Sequence, residues 1–158
     1  MASKRVVVDA SVVIDLYAAP DDRRASIAEE VMSWVTAGFV EAYAPKLLVV
    51  EVLGVLARYL SEEKLELVAS SFPPIKLVPE EVFYDEAVKI ARRTGSRAAD
   101  AYYIATALTI NGILLTNDRH QKQSARKAGV EAYYLVEEIE IVKQNIPPSQ
   151  NQLKEHKQ

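Results

Sequence analysis

"RVVVDASVVIDLY", residues 5–17, decides how the rest of the chain is read. Its opening valines are continuously β-branched, the pattern of a strand buried on both faces of a parallel sheet. RVVVDA, residues 5–10, is therefore predicted to be a short central strand. Yet Asp9 stands where the apolar run pauses, and Asp15 follows six residues later. Taken alone, an aspartate in the first position is read as the N-cap of the next helix.

Outward from that strand, strand-like and helix-like patterns alternate. A helical face of Ile27, Val31, Trp34 and Val35 follows Asp21 and Asp22 and ends near Gly38. FVEAYAP reads as a second strand, and apolar residues recur at helical spacing from Lys46 to about Tyr59. Ser61 is a good N-cap for a helix that Pro73 and Pro74 stop. IKLVP is a third strand, and a helix from about Glu80 to Thr94 ends at Gly95, with Ser96 as the next N-cap. AADAYYIATALTI continues as helix to Asn111 and Gly112, and ILLT is a buried strand. A basic helix from about Gln121 to Lys127 ends at Gly129, EAYYL is the last strand, and VEEIEIVKQNI is weakly helical.

This order predicts an α/β class: one domain over residues 1–146, with a mostly parallel central sheet flanked by helices. Residues 147–158, PPSQNQLKEHKQ, are polar and expected to be a flexible tail. A length of 158 residues, 49% hydrophobic and 26% charged, suits a single globular core. No internal repeat or interdomain linker interrupts it.

Composition closes several functional routes. There is no cysteine, so disulfides, thiolate metal sites and cysteine nucleophiles are excluded together. Two histidines, His120 and His156, cannot build a three-histidine zinc site. The net charge of −3 offers nucleic acid no global attraction, so a phosphate partner needs local basic clusters or a bound cation. Asp9 and Asp15 break up what could pass for a signal-peptide core, and the longest apolar run holds Glu51 and Arg58. The expectation is a soluble, cytoplasmic protein with no membrane partner.

Four acids stand in apolar settings. Asp9 and Asp118 fall where buried strands end, the edge at which open α/β sheets bind ligands. Glu51 lies in a helical stripe with Leu47, Leu48 and Val55, where an unpaired carboxylate is rare. Asp100 sits one turn into an alanine-rich helix, beside Tyr103, Ile104 and Ala107. Capping, helix-dipole and turn roles account for Asp9, Asp100 and Asp118 one at a time. Brought together, the four repel: one like-charge pair at about 4 Å costs on the order of 4 kcal/mol at an effective dielectric near 20. A cation between them, or retained protons, removes that cost. Oxygen ligands without histidine or cysteine select a hard ion, Mg²⁺ or Mn²⁺.

In this order, VVVDASVVIDL, the glutamate of KLLVVEVLGVL, SRAADAYYIATAL and GILLTNDRH resemble the PIN-domain ribonucleases, and most nearly the VapC-type toxins of toxin–antitoxin pairs. The likeness runs from residue 5 to about 135. It implies a Mg²⁺- or Mn²⁺-dependent endoribonuclease, a homodimer restrained by a small antitoxin, with Asp9, Glu51, Asp100 and Asp118 as catalytic and metal-binding acids. Ser11 and Thr116 match the small hydroxyl residues that accompany the first and last acids. Asp15 recurs in relatives but is left outside the catalytic set, with a surface or helix role expected. Gln121 stands where many relatives carry an apolar or aromatic residue, which implies different local packing.

Arg97 beside Asp100 and Arg119 beside Asp118 are the candidate phosphate contacts. Arg92 and Arg93, and Lys122, Arg126 and Lys127, add two basic clusters that solvation alone would explain. His120 has no serine placed with it as a nucleophile and is read as incidental. An aspartyl phosphatase needs a second acid at position 11, which is Ser; a receiver domain needs paired acids after its first strand; no P-loop motif is present. The remaining alternatives are a housekeeping PIN nuclease in RNA processing and a non-catalytic RNA- or protein-binding PIN module. Apolar residues between Val52 and Leu67 fit either a dimer face or core.

Overall fold

The computed structural model describes residues 3–148, so residues 149–158 of the expected tail, with His156, lie outside the described residues. In chain order the elements are β1 (Lys4–Val8), α1 (Ala10–Ala18), α2 (Asp22–Thr36), β2 (Val40–Pro45), α3 (Leu47–Leu56), α4 (Glu62–Ser70) and β3 (Lys76–Val78). There follow α5 (Glu80–Thr94), α6 (Ala98–Ile110), β4 (Ile113–Thr116), α7 (Arg119–Lys127), β5 (Ala132–Tyr134) and α8 (Leu135–Asn145). The five strands form one wholly parallel sheet in the order β3-β2-β1-β4-β5. The α/β class and the single flanked sheet expected from the sequence are both present.

β1 is the centre because its side chains tolerate burial on both faces. Val6, Val7 and Val8 are wholly inaccessible, and Val6 pairs with Ala42 on one side and Ile113 on the other. The chain steps from β1 to β2 and β3 in one direction and returns to place β4 on β1's opposite side. The switch point of the sheet is thus the β1–β4 junction, where a crevice opens beyond the strand ends. Gly112 permits that junction: a Cβ there would stand 3.1 Å from the main-chain oxygen of Arg5. α6 lies across β1, β2 and β4 and packs along α5, while α1 packs on α2 and α3.

Three local expectations are corrected. The first strand stops at Val8 rather than Ala10, and Asp9 caps α1 over residues 10–18, whose extent the β-branched run SVVI masked. Burying Val12 and Val13 outweighs their weak helix preference. Ser96 does not cap α6; Arg97 holds the cap position, and the Ser96 hydroxyl pairs with Thr94 Oγ1 at 2.7 Å. α3 ends at Leu56 rather than near Tyr59. Between Val52 and Leu67 the apolar residues divide, with Val52 and Leu56 buried and Tyr59 and Leu67 exposed.

Asp15 is the largest departure. It is buried at 3% exposure and accepts from Arg24 Nε at 2.7 Å and Nη2 at 3.0 Å. Its Oδ2 also accepts from Asn117 Nδ2 at 2.7 Å, so one carboxylate joins α1, α2 and the residue that follows β4. The sequence could not pair Asp15 with a residue 102 positions away, which is why a surface role was expected. Removing one member of a buried ion pair strands the other. Asp15→Ala is expected to lower unfolding free energy by about 3 kcal/mol, measured by urea titration against wild type.

Candidate functional site

The crevice at the sheet's switch point is a cleft of about 510 Å³. Its walls bring together all four acids singled out above: Asp9 after β1, Glu51 on α3, Asp100 on α6 and Asp118 after β4. Ser11, Gly54, Arg58 and Arg97 line it as well. Residues separated by more than a hundred positions meet here because β1 and β4 are adjacent and parallel, so both chains leave the sheet at the same edge.

Asp9 is the most constrained of the four. It caps α1, and its Oδ2 accepts from the Ser11 hydroxyl at 2.6 Å and the Thr116 hydroxyl at 3.0 Å. Each hydroxyl in turn accepts from the exit of β4, Ser11 from the Asn117 amide at 2.9 Å and Thr116 from the Asp118 amide at 3.0 Å. Two hydroxyls therefore couple the carboxylate to the backbone that carries the fourth acid. Among the described residues, nothing bonds Asp9 Oδ1.

The other acids share this division of labour. Glu51 accepts from the buried Tyr103 hydroxyl through Oε2 at 2.6 Å. Asp100 lies 3.5 Å from Arg97 Nε through Oδ2. Asp118 caps α7 through Oδ1, which accepts from the amides of His120 and Gln121 at 2.8 and 3.3 Å. Each acid holds the fold with one oxygen, and the second oxygen has no hydrogen-bond partner among the described residues. Even so, no three acidic or histidine side chains among those residues are gathered tightly enough to hold a metal ion as they stand.

The electrostatics record the crowding. Burial holds Asp9 up at about 6 against the usual 3.8, and the charge of Glu51 adds to it, while the two hydroxyls oppose. Burial also raises Glu51, with a further push from Asp100 and opposition from Tyr103 and Arg97. Asp100 is raised by burial, then by Asp118, against Arg97. Burial and the charges of Asp9 and Glu51 drive the Tyr103 hydroxyl far upward, so it remains a proton donor to Glu51.

The basic residues are placed less simply. Arg97 reaches the cleft, but Arg119 pairs with Glu137 and lies 5.4 Å from the centre of the Tyr134 ring, outside the cleft lining. Lys122 and Arg126 pair with Glu138, so α8 engages most of the basic face of α7. Arg93 donates to the Ala128 carbonyl at 3.0 Å. His120 is exposed and serves α7 only through its main-chain amide. Gln121, 1% exposed, donates from Nε2 to the Asp100 carbonyl at 3.4 Å and ties α7 to α6.

Tyr103 and Asn117 were not foreseen. Tyr103 lies three residues after Asp100 on one helical face, a spacing visible in sequence, but its partner on α3 was not. Asn117 sits inside TND and carries Asp15's constraint to the neighbour of Asp118.

The Asp9 shift has a testable sign. An acid raised in the folded state retains a proton that the unfolded chain has lost, so its stability contribution is full below about pH 4 and lost as pH rises through about 6. In chelator, wild type is expected to lose on the order of 3 kcal/mol over that window. Asp9→Asn removes this part of the decline, as read by urea unfolding at a series of pH values.

Comparison with known proteins follows the same geometry. The family model described as the PIN domain matches residues 6–127. FitAcB from Neisseria gonorrhoeae superposes with a TM-score of 0.59 at 20% identity, covering 81% of this chain and 96% of that one. A toxin–antitoxin complex from Klebsiella pneumoniae gives 0.53 at 17% identity, covering 74% and 89%. PAE2754 from Pyrobaculum aerophilum gives 0.54 at 23% identity, covering 88% and 93%. At these identities the likeness is one of fold. No curated protein matches the sequence. No helix among the described residues is long and apolar enough to cross a membrane. With its model spanning β1 through α7 and all four acids of the cleft, the chain belongs to the PIN domain family.

Proposed function

We propose that the chain is a Mg²⁺- or Mn²⁺-dependent endoribonuclease that hydrolyses RNA phosphodiester bonds, and the toxin of a toxin–antitoxin pair. One observation carries the reading: four carboxylates from four separate stretches of the chain line one cleft, each with an oxygen that no group bonds among the described residues. The donor set fits a hard divalent ion, which accepts carboxylate and water oxygens and needs neither histidine nor thiolate. Asp9, Asp100 and Asp118 would hold it, directly or through water, with Glu51 as a further ligand or as the group that orients the attacking water. Such an ion supplies positive charge at the scissile phosphate and lowers the pKa of a bound water.

The residues themselves do the positioning. Ser11 and Thr116 hold Asp9 through Oδ2, which leaves Oδ1 without a hydrogen-bond partner among the described residues. Tyr103 fixes Glu51 and, by remaining protonated, favours its ionised form. Arg97 offers a guanidinium beside Asp100 for phosphate oxygens during in-line attack.

The toxin assignment draws on a fold neighbour that is a toxin–antitoxin complex by name. It implies a small antitoxin partner and homodimer formation, with the exposed Tyr59 and Leu67 of the α3–α4 region available to an interface. A non-catalytic scaffold has no reason to crowd four like charges at one switch point.

Purified wild type is expected to cleave single-stranded RNA with Mn²⁺ and not with EDTA. Asp9→Asn and Asp100→Asn are expected to lose at least a thousandfold in rate, about 4 kcal/mol of barrier. Mn²⁺ is expected to raise the Tm of wild type and not of Asp9→Asn, as a ligand of the folded state must. Full activity in both variants rejects the assignment.

A further inference from the structure

The four acids account for chemistry at one phosphate, but a polymer must be held beyond it. α3 presents Glu51, Gly54 and Val55 along one wall of the cleft, at offsets of three and four residues that define one helical face, and Arg58 lines the same wall from the turn that follows Leu56. Arg58 is exposed, and among the described residues no carboxylate lies within ion-pair distance of it. The other cleft arginine, Arg97, already faces Asp100. Arg58 stands in the turn beyond Leu56, seven residues after Glu51 and at the C-terminal end of that wall.

Between them stands a glycine that the fold does not require. Gly54 is helical without positive φ, and a Cβ built on it meets nothing within 4 Å. Helix propensity alone would favour alanine there. A bare, solvent-facing position between the acids and a free guanidinium is suited to close approach of a polymer backbone.

We propose that the cleft wall formed by Glu51 and Gly54 of α3 and by Arg58 of the turn after it is a track for single-stranded RNA, on which Arg58 binds a backbone phosphate neighbouring the cleaved one and Gly54 lets the strand lie against the helix. This rests on the nuclease reading and names how that site holds its substrate. Arg58 is a binding residue, so its effect falls on KM and not on the chemical step.

The test compares wild type, Arg58→Ala, Arg58→Lys and Gly54→Ala on a labelled oligoribonucleotide and on a dinucleotide, with Mn²⁺. Arg58→Ala is expected to raise KM on the oligonucleotide five- to tenfold with kcat within twofold. The slope of log affinity against log salt should become shallower by about 0.7, the value of one single-strand phosphate. Arg58→Lys restores that slope, and the dinucleotide, lacking a further phosphate, is cleaved alike by wild type and Arg58→Ala. Gly54→Ala raises KM without lowering Tm. The Mn²⁺-induced Tm shift is unchanged in every variant.

Cleavage by wild type with an indistinguishable Arg58→Ala overturns this inference alone. An altered Mn²⁺ response with unchanged KM also overturns it, because Arg58 would then be a counter-ion to the acids. Wild type that neither binds nor cleaves RNA removes the nuclease reading and the inference with it.

Discussion

Everything at the cleft depends on the burial of one carboxylate at the junction of β1 and β4. Asp9 sits at 8% exposure where the central strand ends, and a charge there is costly unless bonded. Ser11 and Thr116 meet that requirement, and both accept from backbone amides at the β4 exit. The same four hydrogen bonds that make Asp9 tolerable also set the position of Asp118. Stability and site geometry are therefore one network, because a buried polar group must be satisfied by whichever elements are nearest.

A second network stands behind the first. Arg24, Asp15 and Asn117 form a chain from α2 through α1 to the residue between Thr116 and Asp118. Gln121 links α7 back to the backbone of Asp100. The backbone at Asp100 and beside Asp118 is thus held by side chains that do not line the cleft, and Glu51 is held by Tyr103. Burial is the main reason that the carboxyls of Asp9, Glu51 and Asp100 are raised, and placing each acid on a rigid element keeps a like charge near enough to add to it.

The distribution of positive charge follows from packing, not from abundance. α7 is rich in Lys and Arg, yet Glu137 and Glu138 of α8 pair with Arg119, Lys122 and Arg126. The Arg119 pair is exposed and its worth is small, whereas Lys122 and Glu138 are largely shielded from solvent; all three pairs engage side chains that follow Asp118 in sequence. The cations that line the cleft are Arg58 and Arg97. Arg58 lies seven residues after Glu51, but only the fold brings it to one cleft with Asp9, Asp100 and Asp118.

The periodicities of the chain determined the element order and the parallel α/β class, since valine runs and 3.6-residue stripes report burial directly. They also marked Asp9, Glu51, Asp100 and Asp118, because a charge in an apolar stripe is conspicuous by its local setting. Asp9 does cap a helix as read for it alone, but the extent of α1 was not legible, since β-branched residues mask a helix whose stability comes from packing. Which oxygens are bonded, that Asp15 is buried, that Tyr103 meets Glu51 and that Arg119 turns away to Glu137 were decided only in the tertiary structure. Those facts rest on contacts between residues far apart in the chain, and hydrophobic pattern carries information about burial but none about partners.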